Sequence, residues 1–180
     1  GSRKSELKKF LPIFKKVITL LGKDYEYHLA INKSHYSYVK NFFKGFKYKL
    51  IINYDSEKKF YYFKKSLLSV AKSGTISLDL CKAQLPIITV YKFDTLTYFF
   101  VKFLVKVKYG NIINIMAKKM LIPELIQQNC TPTKIVNKIN YYLNSKSERL
   151  SMVNNYNKVL RRISNKKTSL TIAKDLLANI

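Results

Sequence analysis

The stretch from Leu67 to Tyr91, LLSVAKSGTISLDLCKAQLPIITVY, constrains the fold more than any other part of the chain. Its two apolar runs, Leu67 to Ala71 and Pro86 to Tyr91, are bounded by turn residues and are short enough to be buried strands. Between them stand a Ser73-Gly74-Thr75 turn and one helix, Ile76 to Lys82. Strand, helix, strand in that order needs a crossover connection, and hence a parallel sheet covered by helices. Ligands of such sheets bind beyond the carboxyl ends of the strands, where this turn falls. Gly74 lets the backbone turn closely. The first N–H groups of the helix and the hydroxyls of Ser73 and Thr75 face the same space, an arrangement suited to a phosphate or diphosphate. A turn of this kind also serves simply to cap the helix, and that is its commoner meaning.

The flanking sequence repeats the alternation. Leu7, Phe10, Leu11, Phe14, Val17, Ile18 and Leu21 recur at three and four, giving a first helix with one apolar face that Gly22 ends. Tyr25 to Ile31 reads as a strand, Ser34 as the cap of a second helix carrying Val39, Phe42 and Phe43, and Tyr48 to Asn53 as the next strand. Asp55 caps a third helix that holds Phe60 and Phe63. After the organising unit, Asp94 or Thr95 opens a helix from Thr97 to Val107. Tyr109 to Met116 reads as the last strand or the loop replacing it, and Pro123-Glu124-Leu125 as a helical turn. Thr131 caps a helix with Pro132 near its start, and polar helices follow, Glu148 to Ile163 and Ser169 to Ile180.

With 180 residues, 47% of them hydrophobic, the chain holds one real core and needs no domain boundary. Lys plus Arg number 34 against 10 Asp plus Glu, a formal charge of +24 that attracts nucleic acid, an anionic bilayer or a phosphorylated substrate alike. Cys81 and Cys130 have no metal or redox spacing and read as buried thiols of a reducing compartment. The apolar run Leu96 to Val101 is far short of a bilayer span. The chain runs from Gly1 straight into a helix, as a segment taken from the middle of something longer would.

Few residues could carry chemistry. Arg3 is a cation at a helix start, where the opposite charge is normally favoured; it is either an exposed arginine or the partner of an incoming anion. Asp79 lies one helical turn after Thr75 and can accept hydrogen bonds from a ribose, or is a surface acid. Asn111 and Asn114 are turn formers or ligand donors, and Glu124 with Gln127 and Gln128 lines a polar cleft or faces water. His28 and His35 lack a carboxylate or cysteine at ligand spacing, so no metal site is expected.

Several of these residues also carry a resemblance. Gly1-Ser2-Arg3 with Glu6, Lys72 to Thr75 followed by Leu78-Asp79, Leu96-Thr97-Tyr98, Val101-Lys102, Leu104-Val105-Lys106, Tyr109, Asn114, and Glu124-Leu125 with Gln127 together resemble the carboxyl-terminal half of lipid-A-disaccharide synthase. The similarity runs in order through essentially the whole chain. It implies an α/β fold with a Rossmann-like parallel sheet, the carboxyl-terminal domain of a GT-B glycosyltransferase. Residues 1–180 would then be a UDP-sugar donor-binding domain with carboxyl-terminal helices, lacking the amino-terminal acceptor domain and its catalytic acid. That half is fused, separately encoded or lost.

The family transfers 2,3-diacylglucosamine from its UDP-activated form to 2,3-diacylglucosamine 1-phosphate, releasing UDP. By the resemblance, Ser2 and Arg3 belong to a loop near the UDP diphosphate, with Arg3 stabilising the leaving group. Ser73, Gly74 and Thr75 form the diphosphate-side turn, and Asp79, where the family usually has glutamate, binds nucleotide. Asn114 and Glu124 complete the donor site. Ile113 replaces a family proline, and Lys118 a common glycine. The expected chemistry is a metal-independent, inverting displacement with no cofactor, in which UDP-diacylglucosamine is a substrate. The alternative is a basic domain that binds nucleic acid or another polyanion, though no recognition motif for a specific nucleic acid is present.

Diacylated substrates imply a peripheral place on the cytoplasmic face of the inner membrane, against anionic lipid. The contact is expected in Thr95 to Lys108, where Phe99, Phe100, Phe103, Leu104 and Val107 exceed one helix face and Lys102, Lys106 and Lys108 can reach lipid phosphates; the alternative is a buried core helix. Each juxtamembrane lysine contributes on the order of 1 kcal/mol, weakening with salt. In vesicle flotation the parent should therefore bind anionic liposomes at low salt, and a folded Phe99→Ser, Phe100→Ser, Lys102→Glu variant should not. Equal flotation of the two would place this stretch in the core.

Overall fold

The computed structural model describes residues 4–93 and 108–164. In chain order these form α1 (Lys4–Leu21), β1 (Tyr27–Ala30), α2 (Tyr36–Phe42), β2 (Leu50–Asn53), α3 (Ser56–Lys65), β3 (Ser69–Lys72), α4 (Ile76–Lys82) and β4 (Ile87–Tyr91). There follow α5 (Ile112–Ala117), β5 (Glu124–Ile126), α6 (Pro132–Asn144) and α7 (Lys146–Ser164). Ser2, Arg3, the helix expected over Thr97 to Val107 and the one over Ser169 to Ile180 lie outside the described residues.

All strand pairings among the described residues are parallel, as the strand-helix alternation requires. β1 pairs with β2, Tyr27 opposite Leu50, while β3, β4 and β5 form a second sheet with Ser69 opposite Ile87 and Thr89 opposite Glu124. Helices cover both faces. On one, α1 and α2 meet Tyr27, Leu29, Leu50 and Ile52 of the two-stranded sheet, and α1 with α6 meets Val70, Ile88 and Val90 of the other. On the opposite face, α3, α4, α5 and α7 enclose Ala71 and Ile87. The apolar stripe of α1 therefore divides: Leu7, Leu11 and Ile18 enter one core cluster, Phe10 and Val17 another. α1 carries Pro12 in its interior, which costs roughly 3 kcal/mol and is outweighed by this burial.

Local chemistry explains most boundaries. The Asp55 carboxylate accepts from the N–H of Glu57 at 2.8 Å and so begins α3, and Thr131 does the same for α6 through Lys134 at 3.4 Å. Three expectations are corrected. Ser34 does not cap α2: the Asn32 side chain accepts from both the N–H and the hydroxyl of Ser34 and closes a 3-10 turn, Lys33–His35, ahead of the helix. Within Tyr109 to Met116, Ile112 onwards is α5 and no strand, because the Asn111 side chain accepts from Ile113 N–H and starts a helix despite the β-branched pair. Glu124-Leu125 is β5 and no helical turn. Pro123 fits just before an edge strand, where its missing N–H costs nothing and its carbonyl accepts from Thr89 at 2.9 Å.

Both cysteines are buried and unbridged, and burial pushes the Cys81 thiol up to about 12 and raises that of Cys130. Among the described residues no helix is long and apolar enough to cross a membrane, and no group of His, Cys, Asp and Glu could hold a metal. Leu11 is 1% exposed, and Leu20, on the same helix, 51%. Leu11→Ala should accordingly lower the unfolding free energy by about 2–5 kcal/mol in denaturant titration, whereas Leu20→Ala should change it by less than about 0.5 kcal/mol.

Candidate functional site

β3 ends at Lys72, and the chain turns through Ser73, Gly74 and Thr75 into α4. Gly74 sits at φ +155°, a backbone conformation that side-chain-bearing residues rarely adopt, and nothing lies within 4 Å of where its Cβ would be. The turn is held by its own backbone, Ser77 N–H donating to Gly74 at 3.1 Å and Leu78 N–H to Thr75 at 2.9 Å, and the Thr75 side chain makes no capping bond. Ser73 is used differently from its expected role as an open donor. Its hydroxyl donates to the Gly110 carbonyl and its N–H to Val90 at 3.1 Å, which joins the turn to the loop before α5. Lys72 pairs with Glu6 in the first turn of α1, and its ammonium lies 5.1 Å from the Tyr91 ring centre. The start of α1 is thus brought to the carboxyl end of β3.

The loop that Ser73 touches is built around two buried asparagines. Asn111 is fully buried; its amide donates to the hydroxyls of Ser77 (3.0 Å) and Thr89 (2.8 Å) while its carbonyl caps α5. Asn114, also fully buried, donates to the Ile122 carbonyl (2.7 Å) and accepts from the N–H groups of Leu121 and Ile122. The Glu124 carboxylate accepts from Gly110 N–H (2.7 Å), Asn111 N–H (3.0 Å) and the Asn114 amide (2.6 Å). Three donors on one carboxylate strongly favour a closed loop geometry. Asn114 and Glu124 therefore hold the loop together, their polar atoms being satisfied within the protein. At the ends of β4 and β5, the Gln127 side chain accepts from Phe93 N–H at 2.9 Å, giving that residue a structural place that its spacing alone left open.

Ile113 and Lys118, where the resemblance leads one to expect proline and glycine, both fall in this loop. Ile113 supplies the N–H that Asn111 caps at 2.9 Å, a bond that a proline could not make. Lys118 ends α5 at φ +50°, the left-handed position that glycine occupies without strain. Asp79 is paired with Lys59 of α3 at 2.8 Å, both side chains about one-third exposed or less, a contact worth on the order of 0.2–1 kcal/mol. Ser2 and Arg3 are outside the described residues, but α1 begins at Lys4, so they immediately precede the helix start that Glu6 ties to β3.

His28 contacts Glu26 at 2.9 Å and lies against the Tyr62 ring, its Nδ1 buried without a partner. It stands on β1, in the two-stranded sheet, and does not join this cluster. A cleft of about 510 Å³ beside α2 and β2, with Lys40, Lys44 and Tyr36 in its wall, is likewise separate.

Parallel sheets wrapped by helices, with loops gathered past the ends of β3, β4 and β5, define an α/β protein consistent with a GT-B-like domain. Sequence comparison narrows the class. The lipid-A-disaccharide synthetase family matches residues 1–177, and the chain belongs to that family. It is 32% identical to the lipid-A-disaccharide synthase of Rickettsia typhi over 91% of the chain and 43% of that protein. The corresponding figures are 32%, 97% and 47% for Rickettsia prowazekii, and 28%, 89% and 41% for Rhodospirillum centenum. The chain thus spans less than half the length of these curated relatives.

Two substitutions test the loop. Asn111→Ala removes a cap and leaves two buried hydroxyls short of a partner, and should destabilise the protein by about 2–4 kcal/mol. Lys118→Gly relieves the left-handed backbone and should stabilise by up to about 1 kcal/mol, read as a rise in the denaturation midpoint at unchanged slope.

Proposed function

We propose that this chain is the donor-binding, carboxyl-terminal half of a lipid-A-disaccharide synthase with the GT-B architecture. The match of the family through residues 1–177 carries the reading. In the complete protein, an acceptor hydroxyl of 2,3-diacylglucosamine 1-phosphate attacks the anomeric carbon of UDP-2,3-diacylglucosamine. The bond from that carbon to the diphosphate oxygen breaks, the configuration inverts, the hydroxyl proton passes to a general base and UDP leaves. The amino-terminal half supplies the acceptor site, and the chain works peripherally at the cytoplasmic face of the inner membrane.

The crevice past β3 supports the placement of the leaving group. The Ser73-Gly74-Thr75 turn lies where ligands of parallel sheets bind, its Gly74 side is open, and Glu6 with Lys72 anchors the segment that follows Arg3 beside it. In this reading Arg3, Ser2 and the turn receive the diphosphate, each well-placed donor lowering the barrier by about 3–4 kcal/mol. Asp79 exchanges its contact with Lys59 for the nucleotide. Asn114 and Glu124 act as positioning residues, through the Gly110-Asn111 backbone that they hold.

Calorimetric titration discriminates this function from polyanion binding, to which a charge of +24 would also lend itself. UDP should bind saturably and more tightly than UMP, and Arg3→Ala should weaken it by at least about tenfold, the loss of one charge-assisted contact. Tight, salt-sensitive binding of short duplex DNA without any response to UDP would overturn the proposal. The purified chain alone should form no disaccharide; turnover would show that the acceptor site lies within these residues.

A further inference from the structure

Lys72 is the last residue of β3 and stands directly before the Ser73-Gly74-Thr75 turn. Side chains alternate along that strand: Ala71 enters the cluster with α4, Val70 enters the one under α1, and Lys72 follows Val70. Its ammonium is thereby delivered to the start of α1, past the ends of the strands. There it pairs with the Glu6 carboxylate and lies 5.1 Å from the ring centre of Tyr91, the last residue of β4. The side chains of Lys72 and Glu6 are 27% and 18% exposed, so this is a partly desolvated pair and not two loose surface charges.

Holding α1 in place does not require this pair. Leu7, Phe10 and Leu11, in the turns that follow Glu6, are buried and already fix the helix on both sheets. An ion pair of this kind adds little net stability, because desolvation offsets the attraction. What it does fix is the position of a cation: an aromatic ring and a carboxylate hold the ammonium beside the residue that opens the turn. Glu6 in its turn lies in the first turn of an 18-residue helix, where the helix dipole favours an anion. Its carboxylate thus has the two properties that a phosphate oxygen would need at this place, negative charge at the helix start and a hydrogen-bond acceptor toward Lys72.

We propose that Glu6 is a built-in competitor of the diphosphate for the Lys72 ammonium. Lys72 is then a further diphosphate-binding residue. When a nucleoside diphosphate enters beside the turn, the ammonium leaves the Glu6 carboxylate for a phosphate oxygen; when the nucleotide departs, Glu6 takes the ammonium back. The competing contact lowers affinity and speeds release, since the cation given up by the leaving ligand regains a partner at once. It also favours two phosphates over one, because a ligand with less charge gains less from Lys72 to offset the contact with Glu6 that is lost. This inference rests on the donor site proposed above.

Calorimetric titration of UDP into the 180-residue chain separates a competitor from an anchor. Glu6→Gln keeps the shape and a hydrogen-bond acceptor but removes the competing charge, and should tighten UDP binding by at least about threefold. If Glu6 only anchors α1, the same variant binds UDP equally or more weakly, and either result would overturn the proposal. A second comparison starts from Glu6→Ala, in which the pair is already gone. Adding Lys72→Met, whose apolar stem can stay over Tyr91, should then weaken UDP binding by about tenfold, the loss of one charge-assisted contact. Equal affinities with and without Lys72→Met in that background would show that Lys72 does not touch the ligand. Unfolding of both Glu6 variants would show that the pair is the anchor of α1, and would count against the proposal as well. Failure of the parent chain to bind UDP at all would overturn the donor-site reading together with this inference; UDP binding by the parent that Glu6→Gln does not tighten would overturn this inference alone.

Discussion

The two-sided apolar stripe of α1 is the interaction on which the rest of the structure depends. A parallel sheet can persist only if both faces are covered, and here a single helix packs on two sheets at once. Leu7, Leu11 and Ile18 belong to the cluster over β1 and β2; Phe10 and Val17 belong to the one over β3 and β4. Because those five side chains lie on one rigid cylinder, the two sheets are held in fixed relation without a shared hydrogen bond. The Glu6–Lys72 contact adds direction to that packing by fixing the start of α1 over the carboxyl end of β3.

The second constraint is polar. Asn111, Asn114 and Glu124 sit between α4, β4, α5 and β5 with their donors and acceptors taken up by the protein. A buried network of this kind is costly when half-made and geometrically demanding when complete, so it favours one loop shape. Within it the Asn111 cap gains a donor from Ile113, and Lys118 accepts a left-handed backbone. It also assigns the acid Glu124 to architecture. A carboxylate that already accepts three hydrogen bonds has little capacity left for a ligand, and what it holds is the Gly110-Asn111 backbone.

For a member of the lipid-A-disaccharide synthetase family that spans less than half of its relatives, these two constraints have a common consequence. Past the end of β3 they bring together elements far apart in sequence: the start of α1, the turn after β3, the loop before α5 and β5. Each is held by packing or by the asparagine network rather than by its immediate neighbours in the chain.

Much of this was legible in the residues alone, because it depends on local chemistry. The periodicity of Leu7 to Leu21, the apolar runs around Ser73-Gly74-Thr75, the Asp55 and Thr131 caps and the parallel class all follow from side-chain spacing and backbone preference, and so does the helix Ile76–Lys82. Family membership was legible as well, from motifs preserved in order. The structure decided what spacing cannot express. Asn111 reads equally as turn former or ligand donor until Ser77 and Thr89, 34 and 22 residues away, arrive as its partners. Glu124 after Pro123 reads as a helix start until β4 takes it as an edge strand, since a short segment adopts whichever ladder long-range pairing offers. The separation of β1 from β3 was likewise invisible in the sequence. Strand identity is a local property of the chain, whereas which strands lie side by side depends on crossover handedness and on the helices that pack across them.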